Sequence, residues 1–255
     1  MIYTGDGWEI RCGRWECTPP VDVDCILSDP PYDERTHVNG RSGVGWSGYS
    51  NHRAICVNAP KSFDPVDPRA IGPELVFLAR RWAVLFCSVE QIGLYAEACG
   101  DKYIRAGTWL KRGPTPQFSG DRPAVWGDGV VCLHRKGKKR WNGGGKPLVL
   151  DYTTVGRNNY AGGGAGTRLH ETEKPVAMMM ELVHKFTDPG ELIWDPYCGS
   201  GTTGVACLRL GRRFVGHEMQ PHYAETAAER LQAEQRGLTL QSARAGQRSI
   251  FDVIE

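Results

Sequence analysis

Two stretches of this 255-residue chain combine residue types that can do chemistry. The first is Leu27-Ser28-Asp29-Pro30-Pro31-Tyr32, directly after the apolar run Asp24-Cys25-Ile26-Leu27, which reads as a short buried strand. Consecutive prolines fix φ and withdraw two N–H groups from ladder pairing, so the segment is a stiff arm with outward carbonyls. Asp29 supplies one acceptor, the Pro30 carbonyl a second, Pro31 the stiffness, and Tyr32 a flat ring for stacking. That set suits a planar group bearing an amino nitrogen with two hydrogens. In isolation, Asp-Pro-Pro-Tyr could equally be a plain turn.

The second is Asp195-Pro196-Tyr197-Cys198-Gly199-Ser200-Gly201-Thr202-Thr203-Gly204, between the apolar run Glu191-Leu192-Ile193-Trp194 and a helical stretch from Val205 to Leu210. Glycines let the backbone turn tightly against a ligand, and a helix N-terminus offers N–H groups to an anion. Gly199-x-Gly201-x-x-Gly204 matches a dinucleotide fingerprint, and Glu218, nineteen residues after Gly199, stands where a ribose-binding acid is expected. No Lys follows the glycines, which excludes a phosphate-binding P-loop. Alone, this would suggest a nicotinamide-dependent oxidoreductase. Only 51 residues follow Gly204, however, and that reading leaves Asp29 to Tyr32 without a task.

The ordered set Asp29-Pro30-Pro31-Tyr32, His170-Glu171-Thr172-Glu173-Lys174-Pro175 and Asp195 to Thr203 resembles the β-class amino-methyltransferases of DNA from bacteria and phages, in which the catalytic motif precedes the cofactor motif. The resemblance extends from Tyr3 to about Leu231, and Tyr197 replaces the family's more common Phe. It implies S-adenosylmethionine as cofactor, double-stranded DNA as substrate and, in related enzymes, pairing as homodimers. Asp195, Tyr197, Gly199 and Gly201 would then belong to the turn around the cofactor, Ser200, Thr202 and Thr203 would meet its methionine carboxylate, and Glu218 would hold the ribose hydroxyls. Asp6, in Thr4-Gly5-Asp6, would lie near the adenine of the cofactor, with Thr172 and Lys174 flanking the methionine end.

The implied reaction is transfer of a methyl group to an exocyclic amine of a flipped base. An aromatic amine is a poor nucleophile because its lone pair is delocalised. Acceptors at Asp29 and the Pro30 carbonyl would localise it, while Tyr32 stacks on the base and offsets part of an unstacking cost of a few kcal/mol. The family's adenine members mostly carry Asp at the first motif position and its cytosine members mostly Ser, so Asp29 favours adenine N6 over cytosine N4. Carbon-5 methylation is disfavoured, since no Pro-Cys nucleophile is present. Intact motifs also speak against a catalytically silent DNA-binding module.

Positioning these motifs requires alternating strands and helices. Ala83–Cys87 and Arg213–Gly216 read as further buried strands. Pro73 to Trp82 places Leu75, Leu78, Ala79 and Trp82 on one helical stripe, and a helix after Pro175 carries Met179, Leu182, Val183 and Phe186. A third begins near Pro221, with Tyr223, Ala227 and Leu231 inward and Gly237 as its stop. The expected fold is α/β, a doubly wound, mainly parallel sheet of Rossmann-like methyltransferase type with permuted motif order and a small inserted DNA-recognition region, in a single domain over 1–255. Residues 33–60, with Trp46 and Tyr49, read as a mobile loop that could close over the base, and 137–169 as the target-recognition insertion.

Net charge is only +2, yet the stretch from Asp101 to Lys146 holds eleven Lys and Arg against three Asp. Lys138, Lys139 and Arg140 are therefore candidate phosphate contacts, and Arg157, Asn158 and Asn159 candidate readers of base edges. Nine scattered cysteines without a C-x-x-C pair and histidines without ligand spacing predict no metal site. Neither a long apolar run nor a signal-like N-terminus is seen, which predicts a cytoplasmic protein that does not engage a membrane.

Overall fold

A computed structural model describes residues 1–20, 22–32, 65–112, 123–154 and 173–246. Among them lie the strands β1 (Ile2–Gly5), β2 (Trp8–Cys12), β3 (Val23–Ser28), β4 (Ala79–Cys87), β5 (Tyr103–Arg112), β6 (Gly127–His134), β7 (Val149–Thr153), β8 (Leu192–Asp195) and β9 (Arg213–Glu218). They form one sheet in the order β1-β2-β9-β8-β3-β4-β6-β5-β7. The pairs β2–β9, β9–β8, β8–β3, β3–β4 and β5–β7 are parallel, whereas β1–β2, β4–β6 and β6–β5 are antiparallel.

The central strands are apolar on both sides because helices cover both faces. Helices α1 (Pro68–Leu78) and α2 (Ile92–Cys99) pack one face, where Ile71, Leu75 and Tyr95 meet Ile26, Ala83, Leu85 and Trp194. Helices α3 (Val176–Phe186), α4 (Thr202–Arg209) and α5 (Pro221–Gln235) pack the other, against Cys25, Leu27, Val84, Phe86 and Phe214. Along β4 the alternation is complete, with Trp82, Val84 and Phe86 facing one way and Ala83, Leu85 and Cys87 the other.

The chain leaves β3 for β4 in one direction along the sheet and leaves β8 for β9 in the other. Adjacent parallel strands whose onward connections diverge create a crevice beyond their carboxyl ends. The two motifs that the sequence separates by more than 160 residues therefore emerge side by side, Ser28 ending β3 and Asp195 ending β8.

One element differs from expectation. The helix ends at Leu78, and Ala79 and Trp82 belong to β4 instead of the helical stripe. Asp67 caps the helix by accepting from the Arg69 N–H at 2.9 Å, with Pro68 in the first turn, so it starts five residues before Pro73. Trp82 packs edge-on against Phe186 of α3, a tertiary contact that a local period cannot reveal. The loop 33–60, including Trp46 and Tyr49, lies outside the described residues, as does the part of 137–169 beyond Thr154.

Gly204 of α4 tests how tightly this layer is packed. A Cβ there would lie 2.7 Å from the Phe214 ring and 2.8 Å from Leu231. Gly204→Ala should therefore lose stability by about 1 kcal/mol in urea titration, because an overpacking cost of about 1–3 kcal/mol exceeds the helix-propensity gain of about 1 kcal/mol. An increase would show the layer to be looser than described.

Candidate active site

Asp195 ties the two strand ends together. It is 3% exposed. Its Oδ1 accepts from the Ser28 hydroxyl at 2.5 Å and from the Tyr197 N–H at 3.1 Å, and its Oδ2 accepts from the Thr203 hydroxyl at 2.5 Å. Burial pushes its carboxyl up to about 6, against the pull of those three hydrogen bonds. One carboxylate thus joins the end of β3, the glycine turn and the first turn of α4.

Above it lies a cleft of about 530 Å³, within the range of small-molecule sites. Asp29, Pro30, Pro31 and Tyr32, after β3, line one side, and Tyr197, Gly199, Ser200, Thr202 and Thr203, after the neighbouring β8, line the cleft beside them. On that second side Gly199 and Gly201 adopt φ of 51° and 79°, conformations that favour glycine, and a Cβ on Gly201 would stand 3.0 Å from Ala227. Glu218, at the end of β9, accepts from the Gly199 N–H at 3.0 Å and the Gln220 N–H at 2.7 Å, and burial raises its carboxyl. Gly13 follows β2 with its N–H on the Glu218 carbonyl at 2.9 Å, which brings Gly13, Arg14 and Trp15 to the cleft. Arg230 of α5 donates to the Ser200 carbonyl at 3.2 Å and the Thr202 hydroxyl at 3.1 Å, and pairs with Glu173 at 2.9 Å.

On the first side, Asp29 Oδ1 accepts from the Tyr32 hydroxyl at 2.9 Å and Oδ2 accepts from Lys174 Nζ. The ammonium of Lys174 lies 5.0 Å from the Phe86 ring, 5.6 Å from Trp109 and 5.8 Å from Tyr32. Burial drives the Tyr32 phenol well above its ordinary value, so it remains a hydroxyl. Nearby, Lys111 pairs with Asp128 at 2.6 Å. Cys198 also lines the cleft, but burial raises its thiol well above the usual range, so it stays a protonated thiol and is no nucleophilic thiolate. The arrangement offers a carboxylate acceptor beside flat rings on one side and a glycine turn with an acid on the other.

The sequence profile of the N6/N4 DNA methylase family matches residues 92–229, more than half of the chain. The chain belongs to this DNA methylase family. It is 29% identical over 238 residues to the type II methyltransferase M2.DpnII of Streptococcus pneumoniae, covering 84% of each protein. It is also 43% identical over 74 residues to YubD of Escherichia coli (strain K12), a match spanning 29% of this chain and 33% of that one. Two solved structures share the fold. The M1.HpyAVI–SAM complex superposes with a TM-score of 0.60 at 23% identity, covering 88% of this chain and all of that one. The PvuII cytosine-N4-specific DNA methyltransferase superposes at 0.59 and 15% identity, covering 89% and 86%.

The methylase brings most of the sequence-derived site residues into one cleft, with two corrections. Asp6 is exposed in the two-residue turn of the β1–β2 hairpin, and β2 runs from there toward the cleft, so Asp6 sits at the far end of the sheet. The Asp-Gly pair serves the hairpin, and Gly13 to Trp15, after the other end of β2, line the cleft instead. Lys138, Lys139 and Arg140 are likewise at the wrong end. Strand β6 is antiparallel to β4, so its carboxyl end at His134 faces Trp82, and the Arg140 carbonyl accepts from Trp82 Nε1 at 2.6 Å. Trp82 is five residues from Cys87 at the cleft end of β4, roughly 17 Å of strand. Arg140 moreover pairs with Asp188 at 2.6 Å.

Lys174 lines the cleft, but its ammonium meets Asp29. Thr203 spends its proton on Asp195, and the Tyr197 hydroxyl accepts from Trp15 Nε1 at 3.0 Å. Thr172, Arg157, Asn158 and Asn159 lie outside the described residues. Thr154 and Glu173, which bound that stretch, both line the cleft, as do Tyr32 and Pro65 around 33–64. Sequence reasoning missed Trp109, Lys111, Asp128 and the latch between Glu173 and Arg230. A strand-end rule applied to β5 would have found the first two, whereas Arg230, whose helix resembles the family's closing segment, carried no signal for its partner Glu173.

Asp195→Ala should cost about 3 kcal/mol and lower the melting temperature by roughly 6–12 °C, because two buried hydroxyls and an N–H lose their acceptor. A change of a degree or less would show that this joint is dispensable. His217 gives a pH test. Its Nδ1 accepts from Trp194 Nε1 at 3.0 Å and its Nε2 faces the Thr18 carbonyl at 3.2 Å, while burial lowers it from 6.5 to about 4. The folded state favours the neutral ring, so its contribution is full above pH 6.5 and is lost as pH falls toward 4. Relative to His217→Gln, the parent should lose on the order of 3 kcal/mol across that window in urea titrations, and a flat difference would contradict the assignment.

Proposed function

We propose that this methylase transfers a methyl group from S-adenosylmethionine to the N6 nitrogen of adenine, flipped out of double-stranded DNA at a specific sequence. The observation that carries the reading is that the Asp29 wall and the glycine turn face one cleft and are bolted together through Ser28 and Asp195. The residues fit the cofactor. Glu218 has carboxylate lone pairs for ribose hydroxyls beyond its backbone N–H contacts, and the turn at Ser200–Thr203, with Arg230 beside it, suits the methionine carboxylate.

When bound, S-adenosylmethionine supplies an electrophilic sulfonium methyl. The chain supplies the rest. Asp29 and the Pro30 carbonyl accept from the two amino hydrogens and turn the nitrogen lone pair toward the glycine-turn side of the cleft. Tyr32 and Trp109 offer ring surface to the base, and Asp29 can take up the proton the nitrogen releases. Asp29, in place of a serine, supports adenine over cytosine. Arg157, Asn158 and Asn159 remain proposed base readers, since the stretch that holds them is bounded by Thr154 and Glu173 at the cleft.

DNA from cells expressing the protein, digested to nucleosides and also sequenced for modified positions, should contain N6-methyladenine at one recurring sequence. N4-methylcytosine alone would overturn the choice of base, and neither product would overturn the reaction. Asp29→Ala should lower kcat by about a thousandfold while leaving the S-adenosylmethionine Kd within about threefold.

A further inference from the structure

Glu173 and Lys174 are neighbours in the chain but serve different walls of the cleft. Glu173 pairs with Arg230, which holds the glycine turn, whereas Lys174 pairs with Asp29 of the proline arm. We propose that Lys174 is a positioning residue of the transfer step, orienting and counterbalancing Asp29, rather than part of the cofactor clamp. The inference rests on the function proposed above.

The Lys174 side chain is 9% exposed and its ammonium is surrounded by the Phe86, Trp109 and Tyr32 rings. Aromatic faces attract a cation but do not neutralise it, so a buried ammonium needs a carboxylate, and the partner described here is Asp29. Asp29 needs the cation in turn, because Asp128 and Asp195 line the same cleft. Asp128 is balanced by Lys111, and Asp195 by two hydroxyls and an N–H.

Geometry completes the argument. A carboxylate has about four acceptor sites. The Tyr32 hydroxyl engages Oδ1 and Lys174 engages Oδ2, which together fix the carboxylate plane and leave acceptor capacity for a substrate amine. Removing Lys174 should free that plane to rotate and leave its charge unpaired, which slows transfer without touching the cofactor's contacts.

The test compares the parent, Lys174→Met, Lys174→Arg and Asp29→Asn with and without Lys174→Met. Transfer of radiolabelled methyl to unmethylated genomic DNA gives kcat and KM, and calorimetry gives the S-adenosylmethionine Kd. Lys174→Met should lower kcat at least a hundredfold with Kd and the KM for DNA within about threefold. Lys174→Arg should recover at least tenfold of the loss, and Lys174→Met should add less than threefold in the Asp29→Asn background. A Kd weakened more than tenfold, with kcat kept at saturating cofactor, would make Lys174 a cofactor ligand and overturn the proposal. An unchanged kcat would overturn it as well. Should Lys174→Met fail to fold, Lys174→Gln and the double variant, which leaves no unpaired carboxylate, carry the same comparison. A parent that methylates no DNA overturns the proposed function itself, whereas an active parent with an indifferent Lys174 overturns only this inference.

Discussion

A single buried carboxylate, Asp195, holds the working parts of this protein in register. It accepts hydrogen bonds from Ser28 on one strand, from the Tyr197 N–H in the turn and from Thr203 in the helix that follows. Burying an acid is costly unless its lone pairs are satisfied, and here three donors do so within one small region. The same expense makes the joint specific, because any slippage between β3 and β8 would strand the carboxylate or one of its donors. Everything above it inherits that precision, from the proline arm of Asp29 to the glycine turn facing Glu218.

The cleft is organised as two electrostatic halves. On the glycine side, positive φ angles and backbone N–H groups shape a cradle, with Glu218 anchoring the turn through Gly199 and Arg230 clamping it through Ser200 and Thr202. On the arm side, ammonium groups sit against carboxylates among aromatic rings. Such pairs keep charge in a poorly solvated space without leaving any of it uncompensated. The segment at Glu173 and Lys174 pairs with both halves, Glu173 through Arg230 and Lys174 through Asp29.

The two misplacements share one physical cause. Asp6 rests on a short motif resemblance and the run Lys138 to Arg140 on local charge, and neither carries the direction of a strand. The β1–β2 hairpin places its turn at the amino ends of the parallel strands, and the antiparallel strand β6 delivers its basic tail to that same end. Either set would border the cleft if its strand ran the other way.

The linear chain by itself determined the alternation of buried strands and helices, the proline arm at Asp29, the glycine turn at Gly199 to Gly204 and the acid at Glu218. Each depends on local dihedral limits or on a repeat spacing that the residues carry with them. Membership of the methylase family was legible for the same reason, since its motifs are short and ordered. Tertiary structure alone decided which strands stand side by side, in which sense they run, and so which charges share a cavity. Lys174 finding Asp29 across 145 residues and Arg230 finding the glycine turn are outcomes of that topology. No local preference encodes them, because a long side chain can reach several partners, and packing of the whole sheet selects the one it meets.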